Sequence, residues 1–401
     1  MKRFRKTIFW LHLIAGLIAG LSIGIMCFTG TALAFEKEIV AWSQRDARIV
    51  PAPPDYTPRL TLEQLQAKLS AAQPGARPAT IVIQNDPRAA VAFSGGGASF
   101  YTNPYTGEVR QPQPSSVSGF MQTMTSWHRY LNFTGEISRP RGKLINGVCN
   151  LAFAFLAVSG LYLWWPRKWR TKGLKRSLVF VRGASGKARD WNWHNVIGLY
   201  SAPVLIVLTL TAIPISFQWG VRVINSLTGT TPPAAGAPAL PPVVIAPPTE
   251  GSRPLSQDAF IARVQKEIPT WKTITIAVGG RGGRDRTAPS ATAASMPLPT
   301  APAAIFTVRA NDSWPRTANL TLTLNPYTGE VLRRSGYADQ AAAQQVRSWT
   351  RFLHTGEALG FWGQLVAGLA CLGGCVLVYT GFALSWRRFF MKRPPEAAAK
   401  A

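Results

Sequence analysis

The chain has four histidines, His12, His128, His194 and His354. Each lies in or beside a strongly apolar stretch. An ionisable side chain in a membrane span is costly and by default marks a site. For a lone histidine the plainer reading is a hydrogen-bonded packing residue or a proton relay. Four of four, falling into two pairs by depth, favour haem. Two axial imidazoles leave no open position on iron, which suits electron transfer. Zinc or copper would want three or four donors converging at one depth, and here two do. No Cys-x-x-Cys-His occurs, so covalent attachment is not indicated. The expected cofactors are two b-type haems, one between His12 and His194 and one between His128 and His354.

Four apolar segments must position these residues: 7–35, 144–165, 193–217 and 361–386. Each is long enough to cross a bilayer, which takes about 20 residues. The first could be read as a cleaved signal peptide, since Ala32-Leu33-Ala34 resembles a cleavage site. Its apolar run is about twice a usual signal core and carries His12, so an uncleaved helix is expected. The 401 residues carry a formal charge of +26. Much of it flanks the spans, notably in a basic loop, 166–190, and a tail, 387–401. That is a positive-inside pattern rather than a nucleic-acid surface, and it places both termini in the cytoplasm. Cys27, Cys149, Cys371 and Cys375 all fall within spans and read as small packing residues.

Between the spans the chain leaves the membrane twice, over 36–116 and 218–338. In the first segment Thr61 with Gln64 reads as a capping box opening a helix over 62–73. Strands are expected at 80–84, 89–94 and 99–102. The second segment repeats the pattern, with a helix over 256–268 and strands at 272–278, 304–309 and 319–324. It adds a Pro/Ala-rich linker, 230–254, and an insertion, 279–302. Interfacial helices and loops, 117–143 and 339–360, lead back to the membrane. Pro140 is expected to break the chain between the first of these helices and the second span.

The chain is therefore one unit used twice. His12 to Phe35 and His194 to Phe217 are both 23 residues, and Thr29 matches Thr211 at the same offset. Asn-Pro-Tyr-Thr-Gly-Glu-Val occurs at 103 and at 325, SWHRYLN (126–132) matches SWTRFLH (348–354), and Ser159-Gly160 matches Thr380-Gly381. Both halves run in the same direction, as parallel repeats do. His12 and His194 are repeat mates. His128 and His354 are offset by four residues, one helical turn, and keep the same face. Arg129 and Arg351 are repeat mates beside them. They suit either the propionates of a haem or an interfacial anchor.

These features together resemble the PepSY-associated transmembrane family of iron-regulated bacterial inner-membrane proteins. The motifs that carry the likeness are the paired NPYTGEV turns, the WHRYL…SGLYLWWPR stretch and LHTGEALGFWG. The resemblance implies an α-helical membrane protein with four main transmembrane helices in two parallel repeats. Each repeat would carry a small α+β, PepSY-like periplasmic unit. It further implies a di-haem ferric-siderophore reductase that releases Fe(II) for iron uptake. The chelate would meet an open polar surface near His128 and His354. No dinucleotide fingerprint is present, so the electron donor is expected to be separate, a quinol or a cytoplasmic reductase. The reading from another class is a membrane-anchored PepSY binding or regulatory module without redox activity. Such an anchor would not need histidines at paired depths.

Overall fold

The computed structural model describes residues 2–51, 54, 57–113, 115–166, 177–231, 244–245, 252–278 and 301–391. Six basic residues of the 166–190 loop (Arg167, Lys168, Arg170, Lys172, Lys175 and Arg176), most of the 230–254 linker, nearly all of the 279–302 insertion and most of the 387–401 tail lie outside them. The chain divides into two compact units. One comprises residues 1–37, 116–230 and 346–401, and the other residues 38–115 and 231–345.

The first unit is a helical bundle. Its long helices are α1 (Lys2–Leu33), α6 (Ser138–Trp164), α7 (Gly186–Ser216) and α11 (Gly360–Phe389). All four are long and apolar enough to cross a membrane. Large apolar side chains such as Ile18, Leu21 and Val148 point outward, as they would toward lipid. Helix α6 starts six residues before the expected span at 144. Pro140 does not break it, because it sits in the first turn, where its missing N–H has no partner to lose. Helix α7 likewise starts at Gly186, ahead of the expected 193.

Each of α1 and α7 packs against both α6 and α11. Lipid offers no hydrophobic drive between helices, so close backbone approach has to hold them. The seams are accordingly lined by glycine. Gly374 faces Cys27 directly, Gly373 faces Ser201, and a Cβ on Gly368 would lie 3.2 Å from that of Ala34. Two shorter helices, α5 (Ser116–Tyr130) and α10 (Ala342–His354), carry His128 and His354.

The second unit is a sheet that shares its main apolar core with two helices. Helices α4 (Leu62–Ala72) and α9 (Gln257–Glu267) contribute Leu62, Leu65, Leu69, Phe260, Ile261 and Val264 to one apolar core. The expected capping box is present, with Thr61 and Gln64 bonding each other's backbone. Its counterpart Ser256 caps α9 by accepting from the Ala259 N–H.

The strands are β1 (Thr80–Gln84), β2 (Val91–Gly95), β3 (Ala98–Thr102), β4 (Val109–Arg110), β6 (Trp271–Ala277), β8 (Ala304–Ala310), β9 (Leu320–Leu324) and β10 (Val331–Ser335), with a separate short pair, β5 (Val244–Ile245) and β7 (Ala301–Pro302). The α+β units expected at 36–116 and 218–338 meet in a single eight-stranded sheet. Its order is β10-β9-β8-β6-β1-β2-β3-β4. The first strand of one half pairs antiparallel with the first strand of the other, from Thr80↔Ala277 to Gln84↔Thr273. A bare strand edge is a liability, and four strands under one helix bury little; joining two such edges removes both problems. Asp258 of α9 reinforces the junction by accepting from the Leu62 N–H at the start of α4.

The repeated NPYTGEV motif is a turn between β3 and β4 and again between β9 and β10. Asn103 Oδ1 accepts from the N–H groups of Tyr105 and Thr106, and Asn325 Oδ1 accepts from Tyr327 and Thr328. Gly107 (φ 76°) and Gly329 (φ 70°) supply the left-handed residue each turn requires.

Candidate functional site

Helices α1 and α7 present His12 and His194 to a common cavity of about 790 Å³ inside the bundle. That volume falls within the roughly 300–1,000 Å³ of small-molecule and cofactor sites. The walls are apolar and rich in glycine. Gly160 and Gly381 lie beside the two imidazoles, where a Cβ would approach His12 Cε1 to 3.5 Å and His194 Cε1 to 3.7 Å. Gly16, Gly20 and Gly198 line the same space.

At the other end of the bundle His128 and His354 face each other, with ring centroids 6.2 Å apart and planes at 50°. Two metal–nitrogen bonds of about 2 Å and two ring half-widths of about 1 Å come to about 6 Å, so one metal between the rings matches this spacing. A Cβ on Gly30 would lie 3.4 Å from His128 Cε1 and 3.1 Å from Cys371 Sγ. Asn146 donates to the His128 carbonyl at 2.8 Å and so ties α5 to α6. Among the described residues no cluster of three or more His, Cys, Asp or Glu could hold a bare metal ion. The histidines come in twos.

Every histidine uses Nδ1 for a hydrogen bond within the protein. His12 meets Ser159 Oγ at 2.8 Å, and His194 meets Thr380 Oγ1 at 2.9 Å. His128 meets Thr29 Oγ1 at 2.9 Å. His354 meets the Leu208 carbonyl at 2.9 Å, with Thr211 Oγ1 at 3.4 Å. Each hydroxyl has already committed its proton to a carbonyl of its own helix. Thr29 donates to Ile25, Thr211 to Val207, Thr380 to Val376 and Ser159 to Leu156. In that arrangement the oxygens accept from the imidazoles. With the hydroxyl protons on those carbonyls, Nδ1 carries the ring hydrogen and Nε2 would be a lone pair, the state a metal-ligating imidazole needs. The donor set thus fits a bis-histidine haem at both ends.

The four hydroxyls are two pairs of repeat mates, Thr29 with Thr211 and Ser159 with Thr380. Alignment of the repeats already singled them out, but gave no hint of their partners. The four-residue offset between His128 and His354 is likewise resolved, because each reaches the corresponding threonine.

Arg129 and Arg351 stand next to His128 and His354, at the opposite end of the bundle from the His12–His194 cavity. Both are exposed and lie over the rings of their neighbours Tyr130 (5.3 Å) and Phe352 (5.9 Å). The cations that do line the cavity are Arg5, Lys6, Lys187 and Arg388, which the sequence offers only as part of a charge bias. All four cysteines are free, and Cys27, Cys149 and Cys375 pack in one apolar cluster with Ile23 and Met26.

The hydrogen bonds give a symmetric prediction. His128 has the Met26 carbonyl as well as Thr29, and His354 has the Leu208 carbonyl, the repeat mate of Met26, as well as Thr211. Thr29→Val and Thr211→Val each leave a carbonyl acceptor in place, so both are expected to weaken haem retention to a similar extent and by less than the roughly 10–100-fold of losing an outer-shell partner outright. Haem titration of the two purified variants checks this; a loss of that full size in one variant alone would show that the remaining carbonyl does not hold its ring.

A family model described as PepSY-associated TM region matches residues 9–388. No curated protein matches the chain.

Proposed function

Since the chain belongs to the PepSY-associated transmembrane family, we propose that it is a di-haem b electron-transfer protein that reduces ferric siderophores or related ferric chelates and so releases Fe(II) for uptake. The observation that carries the reading is that all four imidazoles are hydrogen-bonded at Nδ1 within the protein, in two pairs near opposite ends of one bundle. A packing histidine needs no such uniform state. A haem bound between each pair would take up and pass on one electron at a time. Two such sites at different depths shorten the passage across about 30 Å of hydrocarbon, which one could not span.

In the proposed orientation the basic ends of the helices, with Lys187, Arg387 and Arg388, face the cytoplasm of a bacterial inner membrane. The composite sheet then lies on the periplasmic side, and the chelate is met near the His128–His354 end. Quinol or a cytoplasmic reductase supplies electrons at the His12–His194 end. The protein's part is to fix four rings, exclude water from them and keep their tautomers. No acid–base residue is required. Gaining one electron weakens the hold of hard oxygen donors on the substrate iron, and the chelator releases it.

The direct test is the pyridine haemochrome assay on the purified protein. Two b-type haems per chain are expected; zero or one would overturn the two-pair arrangement.

A further inference from the structure

We infer that the haem of the His12–His194 site binds with its propionates toward Arg5, Lys6, Lys187 and Arg388, and with its hydrocarbon edge toward the middle of the bundle. This rests on the di-haem reading and adds an orientation to it. The cavity has two chemically different ends. Along α1, Arg5 lies seven residues before His12, about 10 Å, and Ile23 eleven residues beyond it, about 16 Å. The far end is lined by Ile23, Phe153, Leu205 and Gly374. The near end carries cations from three helices, and among the described residues no Asp or Glu lines the cavity. Asp190 is close by on α7, but it is fully buried and paired with Arg189 and Arg387.

A flat, mostly apolar ring with two carboxylates on one edge matches this polarity in one orientation only. Reversed, it would bury two anions among apolar side chains with no partner, which is prohibitive. The cations also follow the repeat. Arg5 and Lys187 each precede the ligating histidine by seven residues, at the offset that relates His12 to His194. Arg388 is held in place over the rings of Phe9 (5.1 Å) and Trp10 (5.2 Å). Arg5 additionally donates to the Leu163 and Trp165 carbonyls that end α6, so it also has a structural task.

The test is the double variant Lys187→Gln, Arg388→Gln, followed by spectroelectrochemical titration. The two haems are assigned with His12→Ala, which retains the other site alone. Cations near the propionates stabilise the reduced, more negative state. Their removal should lower the reduced-to-oxidised ratio of the His12–His194 haem about tenfold at fixed poise, a fall of about 59 mV for one electron. The other haem should not move. The charge-conserving pair Lys187→Arg, Arg388→Lys should restore the potential. An unchanged potential in the neutral variant overturns the orientation while the di-haem reading stands. A shift in the other haem, or loss of haem from neutral and charge-conserving variants alike, also overturns it. Wild-type protein purified without haem would instead remove the reading on which it rests.

Discussion

His12→Ala is expected to leave one haem per chain in place of two and to abolish reduction from the cytoplasmic donor. Loss of an outer-shell partner already costs about 10–100-fold in metal affinity. Loss of the ligand itself should cost at least about 100-fold, because no other imidazole lines that cavity besides His194. His194→Ala should behave identically. His128→Ala or His354→Ala should remove the second haem, leave the first reducible by the donor, and stop electrons there. Haem counts and difference spectra of the four variants decide the pairing. If one variant from each pair lost the same haem, the assignment of pairs by depth would be wrong.

Mixing dithionite-reduced protein with a ferric siderophore is expected to return the haem spectrum to the oxidised form, while a ferrous chelator traps Fe(II) in step. This effect is all-or-none, since without an acceptor the reduced protein has nowhere to send its electrons. One electron should appear as trapped Fe(II) for each haem reoxidised. His128→Ala should break the coupling even though the His12–His194 haem still reduces. If the haems stay reduced with several ferric chelates, the reductase reading fails and the non-redox PepSY binding module takes its place.

Much of the bundle was legible because apolar length and basic flanks are local properties of the chain. The histidines were legible for the same reason, as ionisable groups where lipid would penalise them. Two kinds of information were not. The start of α6 depends on where in a helix Pro140 falls, which sequence spacing alone assigns poorly. The partners of the histidines lie on other helices, 99 to 186 residues away, so no local pattern announces them. Ser159, Thr380, Thr29 and Thr211 were visible only as matches between repeats. A polar residue that recurs at the same depth as a histidine is the one sequence signal that points to these hydrogen bonds.

The pairing of β1 with β6 sets a delay during synthesis. Gln84 and its partner Thr273 are 189 residues apart. At about 5–20 residues per second, the first four strands wait roughly 10–40 s with β1 bare. Two further spans, α6 and α7, must enter the membrane in that interval. The exposed edge, Thr-Ile-Val-Ile-Gln, is short, β-branched and uncharged, the composition that recruits foreign strands. A nascent chain arrested before residue 271 would therefore be the form most prone to pair with another copy of itself, and completing the second half is what ends that exposure.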